Sequence, residues 1–266
     1  MVPFFVCRSF CTFNQILNMK RSYWETMAPN YDDEIFDVLQ NDKKALIRQA
    51  IAEYASPKKT VMDIGCAIGK WLPVLAPAFK KVIAVDISAE NLKLAAARYP
   101  QYTNVDYRRA DMSARNPVLL PCDFAICINA ILTADEKDRN RFFANLGKCV
   151  KKGGGIVLTI PSLESHLLAS IVQHRYKADR ALLPPETNGK AAIRKWNNIR
   201  QGNADIDGVP HKHYLADELR LLLREAGFRT LRIEKIEYDW TTEFNKPPKG
   251  LTEPKPWDWM VVAERV

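Results

Sequence analysis

A short glycine-containing segment is the first feature of the chain that could do chemistry. The sequence V-M-D-I-G-C-A-I-G-K at residues 61–70 runs from apolar residues into two glycines. Because they lack a Cβ, Gly65 and Gly69 allow a tight turn and let a ligand approach the backbone. The helix expected after them adds unpaired N–H groups and partial positive charge. Asp86 ends the next apolar run and is placed to accept hydrogen bonds from ribose hydroxyls. Together these residues predict a site for an adenosine-bearing cofactor.

The spacing of the glycines narrows the choice of cofactor. A dinucleotide-binding loop reads G-x-G-x-x-G, and a phosphate-binding P-loop reads G-x-x-x-x-G-K-[ST]. Here the loop is G-x-x-x-G with Ala67 in its middle, and Trp71 follows the lysine. Asp63, just before the glycines, would repel a pyrophosphate but suits the ammonium group of a methionine moiety. This charge argument favours S-adenosylmethionine over NAD.

The elements that position these residues alternate between strand and helix. A broken helical segment over 32–55 comes first, and Ser88 and the sequence T-A-D-E at 133–136 predict two later helix starts. Glycines 153–155 are expected to end the helix that follows 136. The expected strands are 60–64, 82–85, 105–109, 124–128 and 156–160, with further helices over 69–79 and 89–97. Such alternation requires a parallel sheet covered on both faces.

After the fifth strand the alternation lapses. Residues 162–210 contain two helical stretches, 167–176 and 191–199, and a turn-rich G-N-A-D-I-D-G sequence. This segment is too long for a simple connection, so we expect a lid or substrate-binding insertion. A helix closed by Gly227 and strands over 230–238 and 260–265 then complete the core. The prediction is one domain over residues 20–266, preceded by an N-terminal extension over residues 1–19.

The order of these motifs resembles that of class I S-adenosylmethionine-dependent methyltransferases. D-I-G-C-A-I-G is similar to that family's D/E-x-G-x-G-x-G motif and departs from it at Ala67. V-I-A-V-D-I-S, A-D-M, F-A-I-C-I-N-A and Y-L-A-D-E-L-R-L-L-L-R-E-A-G-F resemble its later segments, and W-E-T-M-A-P-N-Y-D resembles a segment lying over the cofactor. The resemblance covers about residues 23–265 outside the insertion. It implies an α/β, Rossmann-like methyltransferase fold: a mostly parallel seven-stranded sheet with an antiparallel last strand, helices on both faces and a helical insertion after the fifth strand.

The resemblance also implies which residues contact S-adenosylmethionine. Asp111 would accept a hydrogen bond from the adenine amino group, with Met112 against the ring. Asn129 and Ala130 would lie near the sulfonium. Asp111 as a helix cap and Asn129 as a turn residue are the alternatives. The expected cofactor-binding residues are Tyr31, Asp63, Gly65, Cys66, Ala67, Gly69, Asp86, Ile87, Asp111, Met112, Asn129 and Ala130.

Methyl transfer is an in-line displacement that mainly requires alignment of the nucleophile, within about 3–3.5 Å of the reacting carbon. An oxygen or ammonium nucleophile must also lose a proton, which a positioned histidine can accept. His211 and His213 directly precede the late helix and are the candidate bases. The alternative is that both are surface residues.

Three functions remain open from the sequence. The favoured one is transfer of a methyl group to an oxygen, nitrogen or carbon nucleophile of a small molecule. The others are methylation of a protein or RNA, and cofactor binding without catalysis. The N/D-P-P-Y/F/W motif of DNA amino-methyltransferases is replaced by N-A-I-L at 129–132, and Pro121-Cys122 precedes the fourth strand instead of following it. Both observations disfavour a nucleic-acid substrate.

The composition is that of a globular protein, 47% hydrophobic and 26% charged, with a net charge of +8. Basic and acidic residues are interleaved, which is typical of a solvated surface. The six cysteines form no C-x-x-C pair, so we expect reduced thiols in a cytoplasmic protein and no metal site. The apolar start is interrupted by Arg8 and too short to span a bilayer. We therefore expect no membrane partner, and a monomer or homodimer.

Overall fold

The computed structural model describes residues 21–178, 189–206 and 209–266. Within these ranges the strands are β1 (Ser56–Ile64), β2 (Phe79–Asp86), β3 (Val105–Arg109), β4 (Cys122–Ile128), β5 (Val150–Pro161), β6 (Asn203–Ile206), β7 (Val209–Lys212), β8 (Phe228–Glu237) and β9 (Trp257–Arg265). The α-helices are α1 (Arg21–Met27), α2 (Tyr31–Glu34), α3 (Val38–Asn41), α4 (Leu46–Tyr54), α5 (Leu72–Leu75), α6 (Ala89–Arg98), α7 (Glu136–Cys149), α8 (Leu163–Tyr176), α9 (Gly189–Arg200) and α10 (Ala216–Glu225).

Seven of these strands form one sheet in the order β3-β2-β1-β4-β5-β9-β8. Strands β1 to β5 pair in parallel, and β9 runs antiparallel between β5 and β8. The direction in which strands are added to the sheet reverses at β1. Strands β2 and β3 lie on one side of β1, and the chain then crosses over to place β4 and β5 on the other side. In open α/β sheets such a reversal forms a ligand-binding crevice at the carboxyl ends of the strands. The predicted α/β, Rossmann-like sheet is confirmed.

The central strands are buried on both faces, as a parallel sheet requires. On one face Met62 packs with apolar residues of α7 and α10, including Leu146 and Leu219. On the other face Val61 packs with apolar residues of α4 and α5, such as Ile51 and Leu75. The predicted coverage by helices on both faces is therefore also confirmed.

Glycines 153–155 do not end a helix, contrary to the prediction. Helix α7 already ends at Cys149, and the three glycines lie within β5. At Gly155 the role of glycine is steric, because a Cβ built there would lie 2.1 Å from Cε1 of Tyr54. Glycine thus lets the strand pass directly beneath the tyrosine ring. In the sequence alone, a glycine that makes room for a bulky side chain looks the same as a glycine that ends a helix.

Other elements also differ from the predictions. The helix expected over 69–79 is only the single turn α5, and β2 begins earlier than expected, at Phe79. The residue that caps α7 is Asp135, whose side chain accepts from the N–H of Asp138. Thr133 instead accepts from the N–H of Asp135, one turn before the helix. A closely spaced Thr and Asp offer two competing caps, and the local backbone selects the second.

The described residues of the insertion over 162–210 include two helices, α8 and α9, and the described turn-rich residues form strand β6. Strands β6 and β7 pair antiparallel there, where the sequence predicted a loop. Helix α8 packs through Ala169 and Val172 against Trp240 and Phe244. The predicted extension over residues 1–19 lies outside the described residues. No helix within the described ranges is both long and apolar enough to cross a membrane.

Candidate cofactor and active site

The loop after β1 turns tightly because three of its residues adopt the left-handed backbone conformation. The φ angles are 72° at Gly65, 46° at Ala67 and 80° at Gly69. A Cβ on Gly65 would lie 2.4 Å from the Cβ of Ala130, so only glycine fits against the end of β4. The N–H groups of Gly65 and Cys66 both donate to the carbonyl of Val85, at 2.8 and 3.0 Å. The loop is thereby held between the ends of β2 and β4.

Asp86, at the end of β2, binds this loop to the start of α6. Its Oδ2 accepts from the N–H of Ala67 at 2.9 Å, and its Oδ1 accepts from the N–H of Ser88 at 2.8 Å. Ser88 is the predicted N-cap of α6, and its side chain accepts from the N–H of Asn91. Burial raises the pKa of Asp86, while the backbone donors oppose that change. Each carboxylate oxygen has further lone pairs, so contact with a ribose stays a prediction compatible with these bonds.

Asp63 lies within β1 and is only 2% exposed. Its Oδ2 has no hydrogen-bond partner among the described residues. Burial, together with the charge of Asp86, raises the pKa of Asp63 to about 8. A buried carboxyl without a partner is costly, and a cation would stabilise it. The ammonium group of a methionine moiety is such a cation, so the residues present at this site fit S-adenosylmethionine.

A cleft lies between the glycine loop, the end of β4 and the N-terminal helices. Five of the predicted cofactor-binding residues line it: Tyr31, Gly65, Cys66, Ala67 and Asn129. Trp24 also lines it and belongs to the W-E-T-M-A-P-N-Y-D segment that the resemblance places over the cofactor. The other lining residues were not among the predicted cofactor contacts: Ile35, Phe36, Asp37, Val38, Leu39, Lys70, Trp71, Ile128 and Leu132. Most of these side chains are apolar or aromatic, as in a pocket for a small ligand.

The electrostatics of the cleft differ from those of the whole chain. Among the described residues that line it, Lys70 is the one cation. The Lys70 ammonium is paired with carboxylates of Asp32 at 3.0 Å and Asp37 at 2.8 Å. Burial and nearby acids raise the pKa of Tyr31, so its hydroxyl is neutral at pH 7. The charged side chains that line the cleft, Asp37 and Lys70, are therefore paired with each other, although the chain carries a net charge of +8.

Helix α1 is attached beside this cleft by one carboxylate. Glu25 accepts from the Ser88 hydroxyl at 2.9 Å and from the N–H groups of Ala89 and Glu90, both at 3.1 Å. These donors lower the pKa of Glu25 to about 2. Because Trp24 lines the cleft, the same contact positions one of its walls. No sequence signal reveals it, since the two partners are 63 residues apart.

Asn129 follows β4 with a φ of 48°, a conformation that asparagine tolerates better than most residues. Its Nδ2 donates to Oδ2 of Asp258 at 2.9 Å, and the Tyr238 hydroxyl donates to the same oxygen at 3.0 Å. Burial raises the pKa of Asp258, and the two donors oppose the change. No local sequence pattern points to Asp258 or Tyr238, because β9 and β8 are far along the chain from the end of β4.

The predicted adenine contacts lie at the next strand end. The N–H of Ala110 donates to the carbonyl of Asp86 at 3.0 Å, which brings the end of β3 beside β2. Asp111 is exposed and forms a turn, its Oδ1 accepting from the N–H of Ser113 at 2.7 Å. Met112 is buried in the core. Three predicted contacts, Ile87, Asp111 and Met112, do not line the cleft, so their binding to the cofactor stays a prediction.

Both candidate bases lie in or next to β7. His211 is 2% exposed, with Nδ1 at 2.8 Å from the carbonyl of Val209. Burial lowers the pKa of His213 to about 3. The N–H between them, that of Lys212, donates to the carbonyl of Leu132, which lines the cleft. The hairpin is thus adjacent to the cleft wall, but neither histidine lines the cleft.

The reversed parallel sheet, its glycine loop and the two buried acids define a Rossmann-like protein that binds an adenosine-bearing cofactor. Residues 38–233 match the family described as "Methyltransferase domain". The chain belongs to this family of S-adenosylmethionine-dependent methyltransferases, and S-adenosylmethionine is its cofactor.

Curated relatives of the chain differ in what they methylate. The mRNA cap guanine-N(7) methyltransferase of Eremothecium gossypii is 29% identical over 143 residues, which is 47% of this chain and 33% of that protein. The magnesium-protoporphyrin O-methyltransferase of Rhodobacter capsulatus is 30% identical over 111 residues, 41% of this chain and 48% of that protein. The chain thus spans between a third and a half of the length of these relatives.

A solved structure extends the likeness over nearly the whole chain. The N-methyltransferase NodS of Bradyrhizobium japonicum, in complex with S-adenosyl-L-homocysteine, matches with a TM-score of 0.59 at 14% identity. The match covers 92% of this chain and 97% of that one. At this identity the likeness shows the fold.

Proposed function

We propose that this chain transfers the methyl group of S-adenosylmethionine to an oxygen, nitrogen or carbon nucleophile of a small molecule. The observation that carries the proposal is the form of the cleft. Trp24 of α1 and Phe36, which lies between α2 and α3, line the cleft together with the glycine loop, and the one cation of the described lining, Lys70, is paired with carboxylates. A cleft lined mostly by apolar and aromatic side chains, with no unpaired cation among its described residues, suits a small acceptor better than a polyanion.

A second candidate is methylation of RNA, which the similarity to mRNA cap methyltransferases supports. The net charge of +8 agrees with it, since nucleic-acid binding depends on basic surface. The cleft opposes it, because the described lining offers a polyanion no unpaired cation. If RNA is the acceptor, methyl transfer should weaken steeply as salt is raised, and a small neutral acceptor should show little salt dependence.

The test supplies the purified protein with S-adenosylmethionine carrying a tritiated methyl group. Three acceptor fractions are compared: protein-free cell extract, capped RNA and nucleic-acid-free protein. We expect label in the small molecules of the extract. Label in RNA or protein would favour the alternative enzymes, and no label in single-turnover reactions would favour binding without catalysis. The control is Asp86→Ala, which should weaken cofactor affinity about tenfold or more, because a charged acceptor contributes about 1.5–3 kcal/mol per bond.

We also propose His211 as the base, ahead of His213. A group with a pKa of about 3 is a weak proton acceptor at pH 7, which disfavours His213. His211→Ala should lower turnover about 10²-fold and keep cofactor affinity, while His213→Ala should act mainly on stability. Normal turnover in both variants would mean that neither histidine is a base and that alignment of the nucleophile carries the reaction.

The insertion over 162–210 is proposed to cover the acceptor and set its choice. Support comes from its hairpin, where His211 forms a bridge with Thr133, one residue beyond the cleft wall at Leu132. A lid there would exclude water during transfer. We further propose a cytoplasmic monomer or homodimer without a membrane partner. Cys66, Cys122, Cys127 and Cys149 are free and buried, which is common in reducing compartments.

A further inference from the structure

Three pairs of neighbouring lysines lie at the beginnings of three strands of the large sheet. The sequence reads P-K-K-T at 57–60, F-K-K-V at 79–82 and V-K-K-G at 150–153. These segments belong to the starts of β1, β2 and β5. Because β1, β2, β4 and β5 pair in parallel, their first residues lie along one edge of the sheet, here called the amino edge. Lysines that are far apart in the sequence therefore come together at this edge.

Backbone pairing and one shared carboxylate hold the three lysine pairs close to one another. Thr60, which follows the first pair, is the Cα partner of Lys81. Asp123, near the start of β4, accepts from the N–H of Thr60 at 2.8 Å and from the Lys151 ammonium at 2.6 Å. Neighbouring strands are about 4.8 Å apart, so the row from β2 through β1 and β4 to β5 is about 14 Å wide.

Most of the positive charge at the amino edge is not neutralised. Lys151 pairs with Asp123, and Lys81 pairs at 2.9 Å with Asp106, which also binds Arg108. The other four lysines form no ion pair with a described residue, and three of them are exposed: Lys58, Lys80 and Lys152. Basic and acidic residues that are interleaved in the sequence are therefore separated at this edge by the fold.

The residues beside the lysines favour a nucleic acid over other acidic partners. Phe79 and Val150, the large apolar residues of these segments next to the lysines, are both only 3% exposed. The segments therefore offer no apolar anchor for a membrane. Lysine is also depleted from the cores of protein–protein interfaces. A row of ammonium groups on neighbouring strands suits the closely spaced phosphates of a nucleic acid.

We propose that the amino edge binds the phosphate backbone of single-stranded RNA. Neighbouring strands of a sheet are twisted by about 20–25°, so the row of lysines is twisted as well, and a flexible single strand follows it more easily than a rigid duplex. RNA is the single-stranded nucleic acid of the cytoplasm, which is the compartment proposed above.

The amino edge lies at the opposite end of the strands from the cleft. Ile128, the last residue of β4, lines the cleft together with Asn129. The seven residues of β4, at about 3.3 Å each, separate that end from the amino edge by about 20 Å. The inference concerns binding of RNA and is independent of which molecule accepts the methyl group.

The test measures binding of the full chain to a fluorescein-labelled RNA of about 20 uridines by fluorescence anisotropy, over about 50–200 mM potassium chloride. The amino-edge variant combines three substitutions: Lys58→Gln, Lys80→Gln and Lys152→Gln. The control variant loses the same charge from exposed lysines of α6 and of the loop between β8 and β9: Lys93→Gln, Lys246→Gln and Lys249→Gln. Both variants should bind S-adenosyl-L-homocysteine as the unmodified chain does.

We expect the unmodified chain to bind this RNA with a Kd of about 10⁻⁶–10⁻⁴ M, as sequence-independent contacts to phosphates do. The amino-edge variant should bind at least about tenfold more weakly. Its plot of log affinity against log salt should be less steep by about 2, because each phosphate contact on a single strand contributes about 0.7. The control variant should stay within about twofold of the unmodified chain.

Acetylation of lysines, followed by mass spectrometry, locates the bound RNA. RNA should protect Lys58, Lys80 and Lys152 and leave Lys246 and Lys249 as reactive as before. Equal weakening in both variants would show that net charge alone attracts RNA. That result, or no binding of RNA at the lowest salt, would overturn the inference. Tighter binding of the amino edge to polyglutamate or to phosphatidylserine vesicles than to RNA would overturn it as well.

Discussion

At the scale of single residues, Asp63 shows how packing turns an ordinary acid into a group that responds to ligand. Burial and the charge of Asp86 raise its pKa to about 8, so the folded chain keeps it largely protonated at pH 7. The pKa of Asp63 is higher in the folded chain than in the unfolded chain. Its contribution to the free energy of unfolding is therefore complete below about pH 4. That contribution is lost as the pH rises through about 8.

Binding of the cofactor should release a proton from Asp63 near pH 7. The ammonium group of the methionine moiety stabilises the carboxylate and lowers its pKa. Calorimetric titrations with S-adenosyl-L-homocysteine in two buffers of different ionisation enthalpy should therefore give different heats. Asp63→Asn should abolish the difference, and Asp106→Asn should preserve it. Buffer-independent heats in the unmodified protein would remove the ammonium assignment.

Ala67 occupies a backbone conformation that favours glycine. Its φ of 46° costs an L-residue about 1–2 kcal/mol, of which the greater flexibility of unfolded glycine offsets about half. Ala67→Gly should therefore raise the free energy of unfolding by up to about 1 kcal/mol in urea titrations. The matched control, Ala97→Gly on the exposed face of α6, should lower it by about 0.8–1.0 kcal/mol. Destabilisation by both substitutions would show that the strain at Ala67 is relieved elsewhere.

At the scale of elements, the wall of the cleft depends on how α1 meets α6. Glu25 supplies an acceptor to donors at the N-terminus of α6, where partial positive charge also favours a carboxylate. The folded pKa of about 2 lies below the ordinary 4.5. The contact therefore contributes fully above about pH 4.5 and is lost as the pH falls towards 2.

Glu25→Gln should loosen α1 without unfolding the sheet. The amide lacks the charge that the α6 donors favour, so amide hydrogens of residues 21–27 should exchange faster with deuterium at pH 7. Exchange in β1, β4 and β5 should stay unchanged. Glu90→Gln is the matched control, since Glu90 lies in the first turn of α6 but pairs only with Lys93, at 3.8 Å. Equal exchange of α1 in both variants would mean that packing alone holds this helix.

At the scale of the whole molecule, the described fold begins at Arg21, the first residue of α1. A chain that starts at Met19 keeps every contact described for the site, and the segment before it contains no predicted site residue. We expect this shorter chain to melt within about 2 °C of the full-length protein and to bind S-adenosyl-L-homocysteine with equal affinity. Aggregation, or a much lower melting temperature, would show that residues 1–18 pack on the core.

The sequence by itself determined those features that depend on local chemistry. Strand β3 has the predicted bounds, 105–109, and Ser88 caps α6 as expected. Both follow from patterns of a few residues: apolar periodicity, and a hydroxyl one position before a helix. The positive φ angles of Gly65 and Gly69 also follow from local chemistry, because a residue without a Cβ can adopt such angles in any tertiary environment.

Only the tertiary structure decided which distant groups meet. Asp258 reaches Asn129 across 129 residues of sequence, because β5 lies between β4 and β9 and pairs with both. Gly155 belongs to a run that predicts a helix stop, but it lies in β5, where Tyr54 packs against it and leaves no room for a Cβ. Packing also moves the pKa values of Asp63 and Glu25 in opposite directions. It removes water from Asp63, which raises its pKa, and it brings hydrogen-bond donors to Glu25, which lowers its pKa. Burial and hydrogen-bond partners arise from packing, so the residue type alone does not show whether the pKa of an acid is raised or lowered.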